Sequence, residues 1–105
     1  MIPRDDLIWL AGLAEGEACF DLHKGRSPRI RVGMTDKDTV QRVASLLGSS
    51  CRLQLRPAPY SALWHAEIQG ERAAVLMEAL LPLMGARRSS RIALALGAYR
   101  LRATA

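Results

Sequence analysis

The sequence is poor in cysteine and lysine and has no long hydrophobic run, and these shortages narrow the class of protein. Two cysteines, Cys19 and Cys51, are too few for a disulfide framework and have no histidines at zinc-site spacing, so we expect small buried or half-buried residues. No uncharged apolar run approaches the roughly 18 residues of a membrane span. The start of the chain lacks the basic and apolar regions of a signal peptide. We therefore expect a cytoplasmic or nucleoid-associated protein, neither secreted nor bound to a membrane.

Acidic residues are outnumbered by basic ones, 10 against 15, which gives a net charge of +5 and a pI near 10.0. All the cations except Lys24 and Lys37 are arginines, whose planar fork of donors suits phosphates and guanine edges. The charge therefore favours nucleic acid over an acidic small molecule as partner. A length of 105 residues allows one compact domain, residues 1–105.

The first predicted helix, residues 6–17 with Asp5 or Asp6 as its cap, is apolar on every side. Its first stripe consists of Leu7, Leu10, Ala11 and Ala14, and its second of Trp9, Gly12, Leu13 and Gly16. A single core cannot cover both stripes. Two glycines four residues apart let another backbone approach, as in close helix pairs, so we expect the second stripe to pack outside the monomer's core.

The rest of the sequence alternates between strand-like and helix-like periods. Hairpins are predicted with strands at 18–23 and 29–34 around a turn at 25–28, and at 52–56 and 64–69 around a turn at 57–59. Helices are predicted at about 37–47, with Val40, Val43, Ala44 and Leu47 as its apolar stripe, at 71–81 and at 88–102. This order predicts an α+β domain with an αββαββα arrangement, in which the helices cover one side of a four-stranded antiparallel sheet.

The other side of the predicted sheet, called the polar face below, carries hydrogen-bonding side chains. These are Asp21, His23, Arg29, Arg31, Arg52, Gln54, Arg56, His65, Glu67 and Gln69, with Arg26 in the first turn. Any half-buried antiparallel sheet has a polar outer face. Eight cations and two acids between Lys24 and Arg56 nevertheless favour contact with DNA, since a two-stranded ribbon fits the major groove. Asp21 and Glu67 could accept from cytosine or pair with neighbouring arginines.

Two carboxylates, Glu15 and Glu17, stand where the first helix passes into the first strand. An acid at a helix C-terminus is disfavoured unless a cation or donor compensates it. A bound Mg²⁺ would compensate Glu17, since this ion keeps most of its waters and needs only one or two carboxylates plus phosphate oxygens. A second copy of the helix would bring its own Glu17 to the same place and complete the site.

Residues 10–18 read Leu-Ala-Gly-Leu-Ala-Glu-Gly-Glu-Ala and resemble the signature of the LAGLIDADG homing endonucleases. The predicted element order, the entry to the second helix at 34–36, the strand around 64–68 and the helix end at 81–83 are also similar to that family. The resemblance implies two paired motif helices, concave sheets along the DNA major groove and metal-dependent cutting of both strands. Members with one motif act as homodimers on long, near-palindromic sites.

Carried onto this chain, the resemblance makes Glu17 the catalytic, metal-binding acid, with Mg²⁺ or Mn²⁺ as the ion. The helix pair of the homodimer would then contain Trp9, Gly12, Leu13, Glu15 and Gly16. Several positions depart from the family. The last glycine of the signature is Ala18, the commoner aspartate is Glu17, and Gly33 and Gly85 stand where a glutamine and a lysine are usual. Arg87 could supply the missing positive charge at the catalytic centre, and Arg88 could anchor a phosphate.

Three functions are therefore compatible with the sequence. The first is a homodimeric, site-specific DNA endonuclease. The second is a catalytically degenerate protein on the same scaffold, either a DNA-binding repressor or an RNA-splicing maturase, and only the maturase would bind RNA. The third is a small dimeric domain whose sheet face is merely solvated.

Overall fold

The computed structural model describes the backbone of residues 2–104 and the side chains of residues 2–102. Within them, helices and strands follow one another in the order that the periodicity predicts. Their bounds are α1 Arg4–Glu17, β1 Ala18–His23, β2 Ser27–Met34, α2 Lys37–Leu47, β3 Arg52–Gln54, β4 Leu63–Gln69, α3 Glu71–Leu80 and α4 Ala86–Thr104, with a 3₁₀ turn at Leu81–Leu83. The predicted α+β class is confirmed.

Helix α1 begins two residues earlier than predicted. Pro3 precedes it with φ −58°, and its carbonyl accepts the first helical hydrogen bond from Leu7 N at 2.9 Å. The prediction that Asp5 or Asp6 caps the helix is wrong, since both lie in its first turn and no side chain caps the end. Their charges still interact favourably with the positive end of the helix dipole. The helix runs to Glu17, as expected.

The four strands form one antiparallel sheet in the order β1-β2-β4-β3. The first turn lies earlier than predicted, because Lys24 and Gly25 adopt positive φ of 53° and 69° and reverse the chain directly after His23. Ser27 and Pro28, predicted in the turn, therefore belong to β2. The central position of β2 and β4 places their polar residues in the middle of the outer face.

Strand β3 is shorter than predicted and ends at Gln54, so Leu55 and Arg56 lie in the loop that follows. Its apolar residues do not enter the core: Leu53 is 47% exposed and Leu55 is 79% exposed. β3 is an edge strand that pairs only with β4, beyond the area that the helices cover. Alternation alone cannot tell an edge strand without a helix beneath it from a half-buried one.

The helices cover one side of the sheet, as predicted. The core joins the even-numbered residues of β1, β2 and β4 to the inner faces of all four helices, including Phe20, Ile30, Val32, Ala66, Ile68, Leu10, Val40, Met77 and Ile92. Helix α2 agrees with its predicted bounds, buries its predicted stripe and ends at Gly48, whose φ is 70°. Of the two cysteines, Cys51 is half-buried as expected, whereas Cys19 is exposed because it belongs to the outward-facing set of β1.

The last two helices are shifted relative to the predicted ranges. α3 ends at Leu80, one residue early, because Pro82 has no backbone N–H to continue it and opens a 3₁₀ turn. α4 begins at Ala86, two residues before Arg88, since the Gly85 carbonyl already accepts from Ser89 N at 2.9 Å. It runs to Thr104. Among the described residues no helix is both long and apolar enough to cross a membrane.

Candidate nucleic-acid interface

The strand register brings most of the predicted polar residues together on the polar face. Asp21, Arg29 and Gln69 form one cross-strand row, Cys19, Arg31 and Glu67 the next, and Gly33, His65 and Arg52 a third. His23 and Gln54 lie at opposite ends of the face, beside Ser27 and Leu63. Cys19 lies on this face because it has the same spacing as Asp21, although the predicted set of polar-face residues does not include it.

Two predicted residues lie off the sheet. Arg26 is exposed in the turn between β1 and β2. Arg56, predicted as a strand residue, lies in the loop after β3, because the strand ends at Gln54. Its Nε donates to the Ser61 carbonyl at 2.7 Å and its guanidinium lies 5.5 Å from the centre of the Tyr60 ring. Arg56 therefore extends the polar face beyond the sheet instead of continuing a strand row.

Asp21 holds two arginines on the polar face. The Arg29 guanidinium grips its carboxylate with two bonds, Nε to Oδ1 at 2.9 Å and Nη2 to Oδ2 at 2.8 Å. Arg31 Nη2 donates to the same Oδ2 at 3.1 Å and lies 3.7 Å from Cys19 Sγ. The hydrogen bond from Arg29 is the main cause that lowers the pKa of the Asp21 carboxyl, and burial opposes it. Asp21 was expected either to accept from cytosine or to pair with neighbouring arginines, and within the chain it pairs with the arginines.

The remaining arm of Arg29 contacts a histidine. Arg29 Nη1 lies 2.9 Å from His23 Nδ1, so all three nitrogens of the guanidinium have partners on the face. The side chain of Arg29 is only 17% exposed, whereas that of Arg31 is 41% exposed. The hydrogen bonds that Arg29 donates to Asp21 raise the pKa of Arg29 further above its already high value. Arg29 is therefore committed to the protein, and Arg31 keeps donors for other partners.

The other end of the face is more open. Arg52 is exposed, and its Nε lies 3.4 Å from Ser50 Oγ. Glu67 makes no ion pair with the described residues, and its Oε2 accepts from Gln69 Nε2 at 3.2 Å. The ring of His65 has no hydrogen-bond partner within residues 2–102. These side chains are available to an external ligand.

The C-terminal end of α1 reaches the edge of this surface. Glu17 is its last residue, exposed and without a hydrogen bond or ion pair to the described part of the chain. Glu15 points instead into its own chain: its Oε1 accepts from Gly85 N at 2.5 Å, and its carbonyl accepts from Arg88 Nε at 2.9 Å. Sequence reasoning missed this link, because its partners are separated by 70 residues and one of them is a backbone N–H.

The residues singled out as departures have defined surroundings. Gly33 lies within β2, where an added Cβ would stand 3.1 Å from Leu63 Cδ2, so a side chain there needs Leu63 to move. A Cβ on Gly85 would stand 3.3 Å from Glu15 Oε1. Arg87 is exposed and makes no hydrogen bond or ion pair with the described residues, whereas Arg88 donates to the Glu15 carbonyl. The structure thus leaves Arg87 free to reach a ligand.

The outer stripe of α1 is uncovered only in part: Gly12 and Gly16 are exposed, whereas Trp9 and Leu13, which were expected outside the monomer's core, are half-buried and pack against it. An added Cβ on Gly12 or Gly16 would meet nothing within 4 Å, and Ile8 beside them is 48% exposed. Trp9 is half-buried, because the Arg42 guanidinium lies 3.8 Å from the centre of its ring. The stripe therefore offers a flat surface of small and apolar residues next to the carboxylate of Glu17.

The residues present fit a shared magnesium site in part. No group of three or more His, Cys, Asp or Glu side chains lies together within the described chain. At the end of α1 one chain therefore supplies one carboxylate without a partner among the described residues, that of Glu17, since Oε1 of Glu15 accepts from Gly85 N. Mg²⁺ accepts one or two carboxylates when phosphate oxygens and water complete its shell.

With this geometry in view, the chain can be compared with known proteins. No family model and no curated protein matches the sequence. Solved structures of the homing endonuclease I-CvuI superpose on it with a TM-score of 0.67 over 90% of this chain at 17% identity, and 0.66 over 90% at 16%. The fold is that of a homing endonuclease. In the first structure, I-CvuI is bound to the I-CreI target with Mg and the DNA is not cleaved; in the second, I-CvuI is bound to its own target with Ca.

This chain spans about two thirds of the length of the I-CvuI chains that it matches, 65% of the first and 68% of the second. At these identities the match establishes the architecture alone. The roles of Glu17 and of the polar face in this chain need their own argument.

Proposed function

We propose that the chain is a site-specific double-stranded DNA endonuclease of the homing type, which acts as a homodimer and needs a divalent metal. The observation that carries the proposal is α1, whose uncovered glycine stripe ends in a free Glu17 on a homing-endonuclease fold. Two copies packed along Gly12 and Gly16 would bring two such carboxylates together. The two polar faces would then lie along one DNA duplex, in the cytoplasm or at the nucleoid.

The roles of the chain's own residues follow from their places. Glu17 from each protomer would hold Mg²⁺ or Mn²⁺, which when bound activates water and stabilises negative charge on the phosphate oxygens. Glu15 and Arg88 fasten the end of α1 to the start of α4 and so orient Glu17. Arg87, exposed on the first turn of α4, would supply fixed positive charge through its guanidinium.

A nuclease assay tests this proposal. Purified protein is incubated with Mg²⁺ and a duplex that spans the locus of its gene with the reading frame removed. We expect double-strand cleavage that EDTA stops and that Glu17→Gln lowers at least about 100-fold. Asp5→Asn is the matched control, an exposed acid at the other end of α1, and should leave cleavage unchanged. Cleavage that survives in Glu17→Gln would overturn the metal site.

A degenerate DNA-binding repressor or RNA-splicing maturase is the second candidate. Two observations favour it: Gly85 brings only a backbone N–H to Glu15, and Arg88 is bound to the Glu15 carbonyl. Under this alternative the protein binds its target tightly and specifically without metal-dependent scission. Binding to intron RNA rather than duplex DNA would select the maturase.

A further inference from the structure

The ring of His23 contacts the guanidinium of Arg29, whose other two nitrogens are bound to Asp21. Arg29 Nη1 lies 2.9 Å from His23 Nδ1, while its Nε and Nη2 are bound to the Asp21 carboxylate at 2.9 and 2.8 Å. The three side chains lie at the end of the first hairpin, on two adjacent strands, and none of them is fully exposed. Asp21 thus fixes Arg29, and Arg29 fixes the histidine ring.

The direction of the Arg29–His23 bond follows from elementary chemistry. A guanidinium carries hydrogens on every nitrogen, has no lone pair to offer and stays protonated in proteins. His23 Nδ1 must therefore accept, and a neutral imidazole that accepts at Nδ1 carries its proton at Nε2. The pair with Asp21 raises the pKa of Arg29, so the donor does not reverse.

We infer that His23 is a specificity-determining residue, locked by Asp21 and Arg29 as an Nε2–H donor for one acceptor on a base edge in the major groove. The inference rests on the proposed function, because it assigns a role within the DNA-binding face. A donor without acceptor capacity selects bases by what they present. The cytosine edge shows an amino donor and is rejected, adenine N7 and thymine O4 offer one acceptor each, and guanine offers two, N7 and O6, so guanine is favoured.

A base edge suits this donor better than a phosphate does. The positive charge of Arg29 is matched by Asp21, and His23 adds a neutral N–H. A phosphate gains most from an unpaired cation. Such cations stand elsewhere on the surface, at Arg52 and Arg26, which make no ion pair with the described residues. Arg29 itself is a positioning residue and not a reader of bases.

His65 provides an internal reference, since the chain has two histidines and both lie on the polar face. No described residue hydrogen-bonds its ring, so nothing in the chain selects between its two neutral tautomers. The ring of His23 has a fixed donor position and the ring of His65 does not. This difference can be measured without any DNA.

The first experiment is a ¹⁵N NMR measurement of the two imidazoles in the free protein above the pH at which they protonate. We expect His23 as a single Nε2–H tautomer with Nδ1 unprotonated, and His65 as an exchanging mixture. Arg29→Lys, which keeps the charge and removes the fork, should bring His23 to the pattern of His65. A proton on Nδ1 of His23, or identical patterns for the two rings in the wild type, would overturn the lock.

The second experiment is selection from a random duplex DNA library, followed by sequencing. The wild type should enrich a site with guanine at one base pair of each half-site, and His23→Ala should lose that preference by about ten-fold at that pair alone. Replacement of the selected guanine by 7-deazaguanine, which lacks the N7 acceptor, or by 2-aminopurine, which lacks O6, shows which of the two atoms accepts the hydrogen bond. If His23→Ala instead lowers the affinity for all sequences by the same factor and makes the salt dependence shallower, His23 contacts a phosphate and base readout is contradicted.

The results of the two experiments distinguish a failure of the role assigned to His23 from a failure of the proposed DNA function. If the wild type enriches no sequence, the proposed DNA specificity fails and base readout by His23 fails with it, while the tautomer still tests the lock. If the wild type enriches a site and His23→Ala enriches the same one with the same preferences, the DNA function stands and the assignment of His23 is wrong.

Discussion

At the scale of single residues, the polar face depends on the carboxylate of Asp21. It accepts from both Arg29 and Arg31, and its own side chain is 29% exposed. The hydrogen bond from Arg29 is the largest cause that lowers its pKa below the ordinary 3.8, burial raises the pKa, and the charges of both arginines lower it again. A carboxyl with a lowered pKa in the folded state stabilises the protein above its ordinary pKa.

Asp21→Asn is therefore expected to lower the free energy of unfolding at neutral pH by about 1 kcal/mol. The contribution of the carboxylate is present above pH 3.8 and is lost as the pH falls through the lowered pKa of the folded state. Urea unfolding across this range should show the wild type converging on the variant. Asp5→Asn removes an exposed acid that interacts only with the dipole of α1, so it measures the pH dependence that a carboxylate without an ion pair to the described residues produces. A gap that stays constant with pH would contradict the assigned role.

At the scale of elements, the agreement between sequence and structure depends on where each element packs. Helix α2 is predictable, since its single apolar stripe is the stripe that the core buries and Gly48 follows its last residue. The end of β3 is not, because its alternation continues through Leu55 and Arg56 after β4 has ceased to pair with it. Pairing is a property of two strands, and one strand's sequence does not contain it.

The candidate site follows the same rule. The exposed Glu17 and the exposed glycines of α1 are visible in the sequence, because they belong to one helix, whereas the partial burial of Trp9 and Leu13 is not. The Glu15–Gly85 bond and the Asp21–Arg29–His23 chain are not, because they require a tertiary contact across 70 residues and a specific cross-strand register. Residue types on a face are thus predictable, and the hydrogen bonds that decide which of them remain free are not.

The glycines of α1 give the element-scale prediction. Gly12→Ala adds a methyl group into open space on the monomer and removes a helix-interior glycine, so the monomer should gain about 1 kcal/mol in stability. The same methyl group would separate two closely packed helices and weaken the proposed dimer about ten-fold or more. Sedimentation velocity over a dilution series measures the second effect, and thermal unfolding of dilute protein the first.

Gly97→Ala is the matched control, because Gly97 is an exposed glycine inside α4 that also has nothing within 4 Å of an added Cβ. It should stabilise the fold to a similar extent and leave self-association unchanged. Equal effects of the two variants on self-association would mean that the glycines of α1 do not lie in the dimer interface.

At the scale of the whole molecule, the basic residues lie on both sides of the sheet. The net charge of +5 is shared between open arginines at the polar face, such as Arg52, and cations on the helical side. Arg4 belongs to the second group: it opens α1, which Glu17 closes, so the two ends lie about 20 Å apart along the helix axis. Position rather than number of charges should therefore govern the affinity for DNA.

The salt dependence of DNA binding tests this distribution. The logarithm of the affinity should fall linearly with the logarithm of the salt concentration, with a slope of about 0.9 for each phosphate neutralised. Arg52→Gln should make the slope shallower by about 0.9 for each protomer, since Arg52 is exposed on the polar face without an ion pair to the described residues. Arg4→Gln removes the same charge at the far end of α1 and should leave the slope unchanged. Fluorescence anisotropy titrations at several salt concentrations measure both slopes. Equal changes in the two variants would mean that the polar face does not lie along the duplex.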